Sequence, residues 1–200
     1  MGERLRAARQ ARNLSLRDLA ERLGVSASLI SQVETGRANP SVSTLYALVA
    51  ELDLSLDELL FADRRAGQPR GVARPDAALV EELLQRREAR TSVRLASGVT
   101  WERLTPTSQP GTEFLLVTYE VGGASSVDGF QRHDGHEWGY VLEGTLDVRI
   151  GFDDVVLRPG DAISFDSTTP HRLSNSGATP VRAVWFVSGR SPSDDHGRVG

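Results

Sequence analysis

The sequence predicts two domains of different class, an all-α domain of five short helices followed by an all-β sandwich or barrel. Three observations lead there. Residues 1–60 carry apolar side chains at spacings of three and four, cut by serine caps and glycine stops. Residues 61–75 are rich in Arg, Gly and Pro and hold little that forms a core. From Thr91 onward, short apolar runs recur between Gly, Pro, Asp and Ser turns, the mark of many short strands. The expected boundaries are residues 1–62 for the helical domain, 63–90 for a linker or arm, 91–189 for the β domain and 190–200 for a flexible tail. A chain of 200 residues is long enough for two small cores.

Composition removes several functional classes. No apolar run approaches the roughly 20 residues of a membrane span, and Met1 to Arg6 lack a signal-peptide core, so no membrane partner and a cytoplasmic location are expected. There is no cysteine, which excludes disulfides, thiolate zinc sites and cysteine nucleophiles and leaves nitrogen and oxygen as metal donors. Every basic residue is arginine, so lysine Schiff bases and phosphate-binding lysines are excluded too. The net charge of -4 argues against indiscriminate nucleic-acid binding, but its distribution is uneven. Residues 1–40 hold seven Arg against four acids, a balance of +3, whereas residues 41–60 hold four acids and no base.

The helices follow in order. Leu5 and Ala8 lie among Arg4, Arg6, Arg9 and Arg12 in a first helix ending near Asn13. Ser15 caps a second, with Leu16, Leu19, Ala20 and Leu23 on its apolar face and Gly24 as its stop. Ser26 caps a third, in which Leu29, Ile30 and Val33 face inward while Ala27, Ser28, Ser31 and Gln32 face outward. Ser43, Leu45, Leu48, Val49 and Leu52 mark a fourth helix, and Ser55 to Leu60 a short fifth. The second and third helices, joined at Gly24-Val25-Ser26, form a helix-turn-helix. Its pattern, Leu19-Ala20 with Gly24-Val25-Ser26, then Ile30-Ser-Gln-Val-Glu-Thr-Gly-Arg37 and Pro40, resembles the lambda-repressor-like, or XRE, helix-turn-helix family from Leu14 to Leu60. That resemblance implies a double-stranded DNA operator as partner. It places Ala27, Ser28 and Gln32 at base-reading positions and Ser26, Thr35, Arg37 and Asn39 beside phosphates. It also makes Arg9 and Glu34 a buried structural ion pair. The Gln32 amide suits adenine, whose N6 and N7 it can bond together.

After the linker, residues 77–89 fit either a helix, through Leu79, Val80, Leu83 and Leu84, or an arm. Strand-like runs follow at Val99 to Leu104, Glu113 to Val121, Gly139 to Leu142, Leu146 to Ile150, Val155 to Leu157, Ala162 to Phe165 and Val181 to Val187. Glu143-Gly144 and Gly151 to Asp154 read as hairpin turns. His196 falls in the tail.

The remaining histidines crowd one stretch, His133 and His136 beside Glu137, answered by His171. Gln131, His133 and Glu137 share a parity, which points side chains to one face of a strand. His136 has the other parity. The stretch from Gln131 to Gly144, with Pro159-Gly160-Asp161, His171 and Asn175, resembles the two motifs of the cupin family over residues 91–189. That resemblance implies a jelly-roll β-barrel, and it marks a departure: Gln131 stands where the family's first ligand histidine belongs. The metal or effector residues are then Gln131, His133, Glu137 and His171. His133, Glu137 and His171 make a two-histidine, one-carboxylate set able to hold a divalent metal such as Fe, Zn, Ni or Mn. A metal-free site that hydrogen-bonds an effector is the other reading. Tyr119, Trp138, Tyr140, Phe165 and Trp185 are candidate pocket walls, and Arg132, Arg149, Arg172 and Arg182 are candidate partners of an anion.

An XRE-type reader ahead of one cupin domain resembles a family of prokaryotic transcriptional regulators. The resemblance implies a homodimer on a two-fold operator and a small-molecule effector in the barrel, with no catalytic residues. The alternative is a mononuclear iron oxidoreductase of the hydroxypropylphosphonate epoxidase type, whose architecture and His, Glu, His triad are also similar. The intact groove-facing pattern through Gln32 and Arg37 favours the regulator.

Overall fold

The computed structural model describes residues 1–54, 56–60, 80–109, 111–126 and 129–189. Most of the expected linker, residues 77–79 and the expected tail with His196 lie outside the described residues.

Five helices form the first domain: α1 Gly2–Ala11, α2 Leu16–Leu23, α3 Ala27–Glu34, α4 Val42–Glu51 and α5 Leu56–Leu60. Their starts are fixed by local chemistry. Ser15 accepts from the Asp18 N–H at 3.1 Å while Asp18 accepts from the Ser15 N–H at 2.8 Å, so both orphan donors are satisfied at the start of α2. Ser26 and Ser41 cap α3 and α4 by accepting from Leu29 and Thr44, each at 3.1 Å. α1 stops at Ala11, slightly before the expected end near Asn13. Leu5, Leu19, Ile30, Val33, Leu45, Leu48 and Leu52 are fully buried between the helices. Truncating any of these leucines to alanine is expected to cost about 2–5 kcal/mol. The expected ion pair is present and buried: Arg9 Nε and Nη2 donate to the Glu34 carboxylate at 2.6 and 2.9 Å, and Nη1 donates to the Leu14 carbonyl at 2.7 Å. It ties α1 to α3, and it raises the Arg9 guanidinium above its ordinary value through the Glu34 hydrogen bond.

In the stretch whose form the sequence leaves open, residues 80–83 are helical and Arg87–Ala89 make one 3-10 turn. Nine strands then form two sheets. They are β1 Ser92–Arg94, β2 Val99–Arg103, β3 Thr112–Tyr119, β4 His136–Glu143, β5 Leu146–Ile150, β6 Asp153–Leu157, β7 Ala162–Asp166, β8 His171–Ser174 and β9 Val181–Ser188. One sheet has the order β1-β2-β3-β9-β4-β7 and the other β6-β5-β8. The strands β1 and β8 were not expected from the sequence, because three or four residues show no readable alternation. Gly151-Phe152 does turn the β5–β6 hairpin, with Ile150 opposite Asp153. Glu143-Gly144 is not a hairpin turn: β4 pairs with β7 and β9 whereas β5 pairs with β6 and β8, so these residues carry the chain from one sheet to the other. The irregular register between Val141 and Glu143, at the end of β4, starts that departure.

Buried apolar side chains form one connected cluster that runs from Leu5 and Leu45 in the helical domain to Val99, Trp101, Val141 and Trp185 in the sheets. The domains also share backbone hydrogen bonds. The Ala96 N–H donates to the Pro40 carbonyl at 3.1 Å, and the Ser43 N–H donates to the Ser125 carbonyl at 3.2 Å. The start of α4 is therefore seated on the β domain.

Candidate functional site

His133, Glu137 and His171 come together from three places. His133 precedes β4, Glu137 is its second residue, and His171 opens β8 in the other sheet. Antiparallel backbone bonds at 2.9 Å join Gln131 to His171 in both directions, and the His133 N–H donates to the Ser167 carbonyl at 3.0 Å, so the loop is clamped before β4 begins. Gly135 makes that approach possible. It sits at φ +111°, and a Cβ there would lie 2.4 Å from the Ser188 carbonyl oxygen.

The hydrogen bonds fix which atoms face one another. The His133 Nδ1–H donates to the Asp134 carbonyl at 3.0 Å and the His171 Nδ1–H to the Thr169 carbonyl at 2.8 Å, since a carbonyl can only accept. In the neutral rings the Nε2 lone pairs then face inward. Glu137 Oε1 lies 2.8 Å from His133 Nε2 and 3.2 Å from His171 Nε2, within ion-pair range of both but in hydrogen-bond geometry with neither. Beside them Gln131, only 7% exposed, sets its Nε2 at 3.0 Å from His171 Nε2 and has an Oε1 without a hydrogen-bond partner among the described residues. Converging acceptors in a buried place fit a cation. One donor atom from each of His133, Glu137 and His171 lies within 4.8 Å of the others. Burial alone would raise the Glu137 carboxyl, but the His133 and His171 rings, when each carries its second proton, outweigh it and hold Glu137 well below the usual carboxylate range. The carboxylate is aimed by Trp185, whose indole N–H donates to Glu137 Oε2 at 2.6 Å. Opposite Trp185 on β4 stands Gly139, where an added Cβ would fall 2.0 Å from the indole ring. That glycine is required for space rather than for backbone freedom.

Of the expected pocket walls, Tyr119 and Trp185 line the cavity with Gln131 and Glu137, and the Phe165 ring is 4.9 Å from that of His171. The buried Tyr119 phenol is raised above its ordinary value by burial and by the Glu137 charge, so it stays neutral. Trp138 and Tyr140 do not belong to the pocket. They share the parity of His136, opposite to Glu137, Gly139 and Val141, and are 40% and 46% exposed on the outer face of the six-stranded sheet. Three of the four candidate anion-binding arginines are engaged elsewhere: Arg149 with Asp154, Arg172 with the Ser126 carbonyl and Arg182 with Glu143, while Arg132 is exposed. Asn175 is structural, donating to the Tyr119 and Thr179 carbonyls at 3.0 and 2.9 Å. Tyr46, Trp101 and Ser125 line the same cavity and were not singled out in the sequence. Tyr46 had one local signal: with Val42 it forms an i, i+4 pair beside the α4 stripe of Leu45, Leu48 and Leu52, which gives the helix a second apolar face.

On the helical domain, Ser26, Ser28, Gln32, Thr35, Arg37 and Asn39 are exposed along one continuous stretch. Ala27 is half-buried and packs partly against the domain core, which narrows what it can offer a base. The Ser26 hydroxyl accepts at the α3 cap, and that of Thr35 donates to the Ser31 carbonyl at 2.8 Å.

A helix-turn-helix family model matches residues 5–59 and a cupin-domain model matches residues 115–187. Over 185 residues the chain is 29% identical to the HTH-type transcriptional regulator PuuR of Escherichia coli (strain K12), covering 92% of this chain and 91% of that one. The chain belongs to the helix-turn-helix transcriptional regulators that carry a cupin domain. A crystal structure of an HTH_3 family transcriptional regulator from Vibrio cholerae shares this regulator's fold, with a TM-score of 0.62, 21% identity and 94% of each chain covered. The regulator is also 30% identical over 102 residues to the tetracenomycin polyketide synthase protein TcmJ of Streptomyces glaucescens, covering 51% of this chain and 68% of that one. Among the described residues, no helix of the regulator is long and apolar enough to cross a membrane.

Proposed function

We propose that this DNA-binding regulator reads its operator as a homodimer through Ser28 and Gln32, supported by phosphate contacts from Ser26, Thr35, Arg37 and Asn39, and answers to a ligand held at Gln131, His133, Glu137 and His171. The observation that carries the ligand reading is the buried convergence of His133 Nε2, His171 Nε2 and Glu137 Oε1 beside the unpartnered Gln131 Oε1. A divalent metal would be held by His133, Glu137 and His171, where it would supply positive charge and open positions for a further oxygen or nitrogen donor. Trp185 would keep the Glu137 carboxylate oriented toward it. The exposed outer face formed by Phe114, Trp138, Tyr140 and Leu142 supports dimerisation, since contiguous apolar surface of this kind commonly marks an interface. Ligand binding would shift operator affinity through a coupling of about 1–3 kcal/mol.

The test is operator binding at several salt concentrations. Wild type should bind DNA from upstream of its own gene with a steep salt dependence. Absence of any salt-dependent affinity, unchanged by Gln32→Ala and Arg37→Ala together, would overturn the DNA assignment. The two-histidine, one-carboxylate set supports a second reading, an iron oxidoreductase. Anaerobic Fe(II) titration of wild type and His133→Ala addresses it, and no stoichiometric uptake by wild type sinks it.

A further inference from the structure

If the buried group is a ligand site, the DNA-reading domain covers it. Pro40 and Ser43 hydrogen-bond to Ala96 and Ser125 of the β domain, and Val42, between these two anchors, and Tyr46, one turn further along α4, line the cavity. The Tyr46 ring centroid lies 4.7 Å from that of His133 and 5.6 Å from that of Trp101. What remains of the cavity, between Val42, Tyr46, Trp101, Tyr119, Gln131 and Glu137, is about 20 Å³. That is room for one water-sized body. Organic ligands of ordinary size need roughly 300 Å³ or more. The magnitudes separate two ligand classes: a bare metal ion with at most a water-sized companion fits beneath Tyr46, and an organic molecule does not.

We propose that Tyr46 is the specificity-determining residue of the cupin site, admitting a metal ion while α4 is seated and excluding any organic ligand until α4 lifts from the sheets. The inference rests on the ligand-site reading above and adds how the ligand is communicated. α3 packs on α1 and α2 and is joined to α4 through residues 35–41, so displacement of α4 carries the reading helix with it. An ion beneath Tyr46 leaves the reader docked. A bulkier ligand frees it, because Tyr46 and the ligand compete for one space.

The seated contact has a direct reporter. Ser43 lies in the first turn of α4, where backbone N–H groups lack intrahelical acceptors, so its protection from hydrogen exchange depends on the Ser125 carbonyl. The Ala96 N–H, held by Pro40, reports the other anchor. The experiment measures exchange at both amides in full-length wild type, Tyr46→Ala, Tyr46→Leu and Tyr46→Phe. Each is metal-free, loaded with Co(II), then titrated with acetohydroxamate as a bidentate organic probe followed through the Co(II) absorption bands. In wild type, Co(II) alone should leave both amides protected, whereas acetohydroxamate should bind weakly and speed their exchange at least tenfold. Tyr46→Ala should bind acetohydroxamate at least tenfold more tightly, and Tyr46→Phe, which keeps the ring, should behave as wild type. Should Tyr46→Ala not fold, Tyr46→Leu takes its place with the same expectations. Equal probe affinity in wild type and the ring-deleted variant, with both amides still protected, overturns the proposal. If wild type takes up no Co(II), the metal reading fails by itself. The metal-free comparison then decides the role of Tyr46: at least tenfold faster exchange in the ring-deleted variant supports it, and unchanged exchange overturns it.

Discussion

The outer side of α3 with the turn after it and the His133, Glu137 and His171 group are both polar, but Ser28, Gln32 and Arg37 are exposed while Glu137 and His171 are buried. Water already satisfies the side chains of α3, so DNA must replace those hydrogen bonds, and each contact adds modest discrimination. At the buried group, withdrawn from bulk water, acceptors facing one another favour the state in which a cation joins them. The two surfaces also differ in origin. The proposed DNA side is a single run from Ser26 to Asn39, whereas the buried group joins two sheets across residues 131–171. Substitutions should therefore be graded and local on α3, and severe at the cupin site.

The largest effect is expected from His171→Ala, which removes a donor atom and should lower metal affinity more than about 100-fold, beyond the roughly 10–100-fold typical of supporting groups. Titration calorimetry with Ni(II) checks this, and a loss under tenfold would mean that the three residues do not act as one site. Next comes the support of Glu137. Trp185→Phe deletes the indole N–H that holds Oε2 and should lower metal affinity about 10–100-fold. Gly139→Ala forces the same ring aside and should also cost about 1–3 kcal/mol of stability in urea melts. If Gly139→Ala is neutral in both measurements, the strand pairing does not set the carboxylate.

Effects on α3 and the turn after it should be smaller and should leave the cupin site untouched. Gln32→Ala should lose about 1–3 kcal/mol of preference at one base pair. Arg37→Ala should weaken all sequences alike and reduce the salt slope by about 1. Competition binding with operator variants separates the two, and the comparison of buried with exposed would break if either changed metal affinity. Smallest of all, the exposed Arg22 and Glu51 pair, 2.6 Å apart, should contribute less than about 1 kcal/mol, as a double-mutant cycle would reveal.

The same contrast explains what the sequence made legible. α2 and α3 could be read to within a residue or two because their caps, Ser15 and Ser26, act on amides three residues away, whereas α4 was legible from its apolar spacing and its Ser41 cap was missed. His133, Glu137 and His171 were legible through motif spacing, although Gln131 broke the pattern. Trp138 and Tyr140 were misplaced although parity was available, because aromatic character was weighed above the alternation that Glu137 already set. Glu143-Gly144 looked like a hairpin because turn chemistry is local while sheet membership is not. Tyr46 gave only the local signal of a second apolar face; that it meets His133 was out of reach for the same reason, since the contact depends on α4 docking against a domain that begins some 45 residues later.

The measurement that bears most directly on the link between the two surfaces is operator affinity of wild type and His171→Ala in the presence of Co(II), each with and without acetohydroxamate, at one salt concentration. Wild type should change affinity about 5- to 150-fold when the hydroxamate binds, the range that such couplings span, and His171→Ala should not respond. Uptake of Co(II) and acetohydroxamate by wild type with no change in DNA affinity would contradict a cupin site that governs the reader.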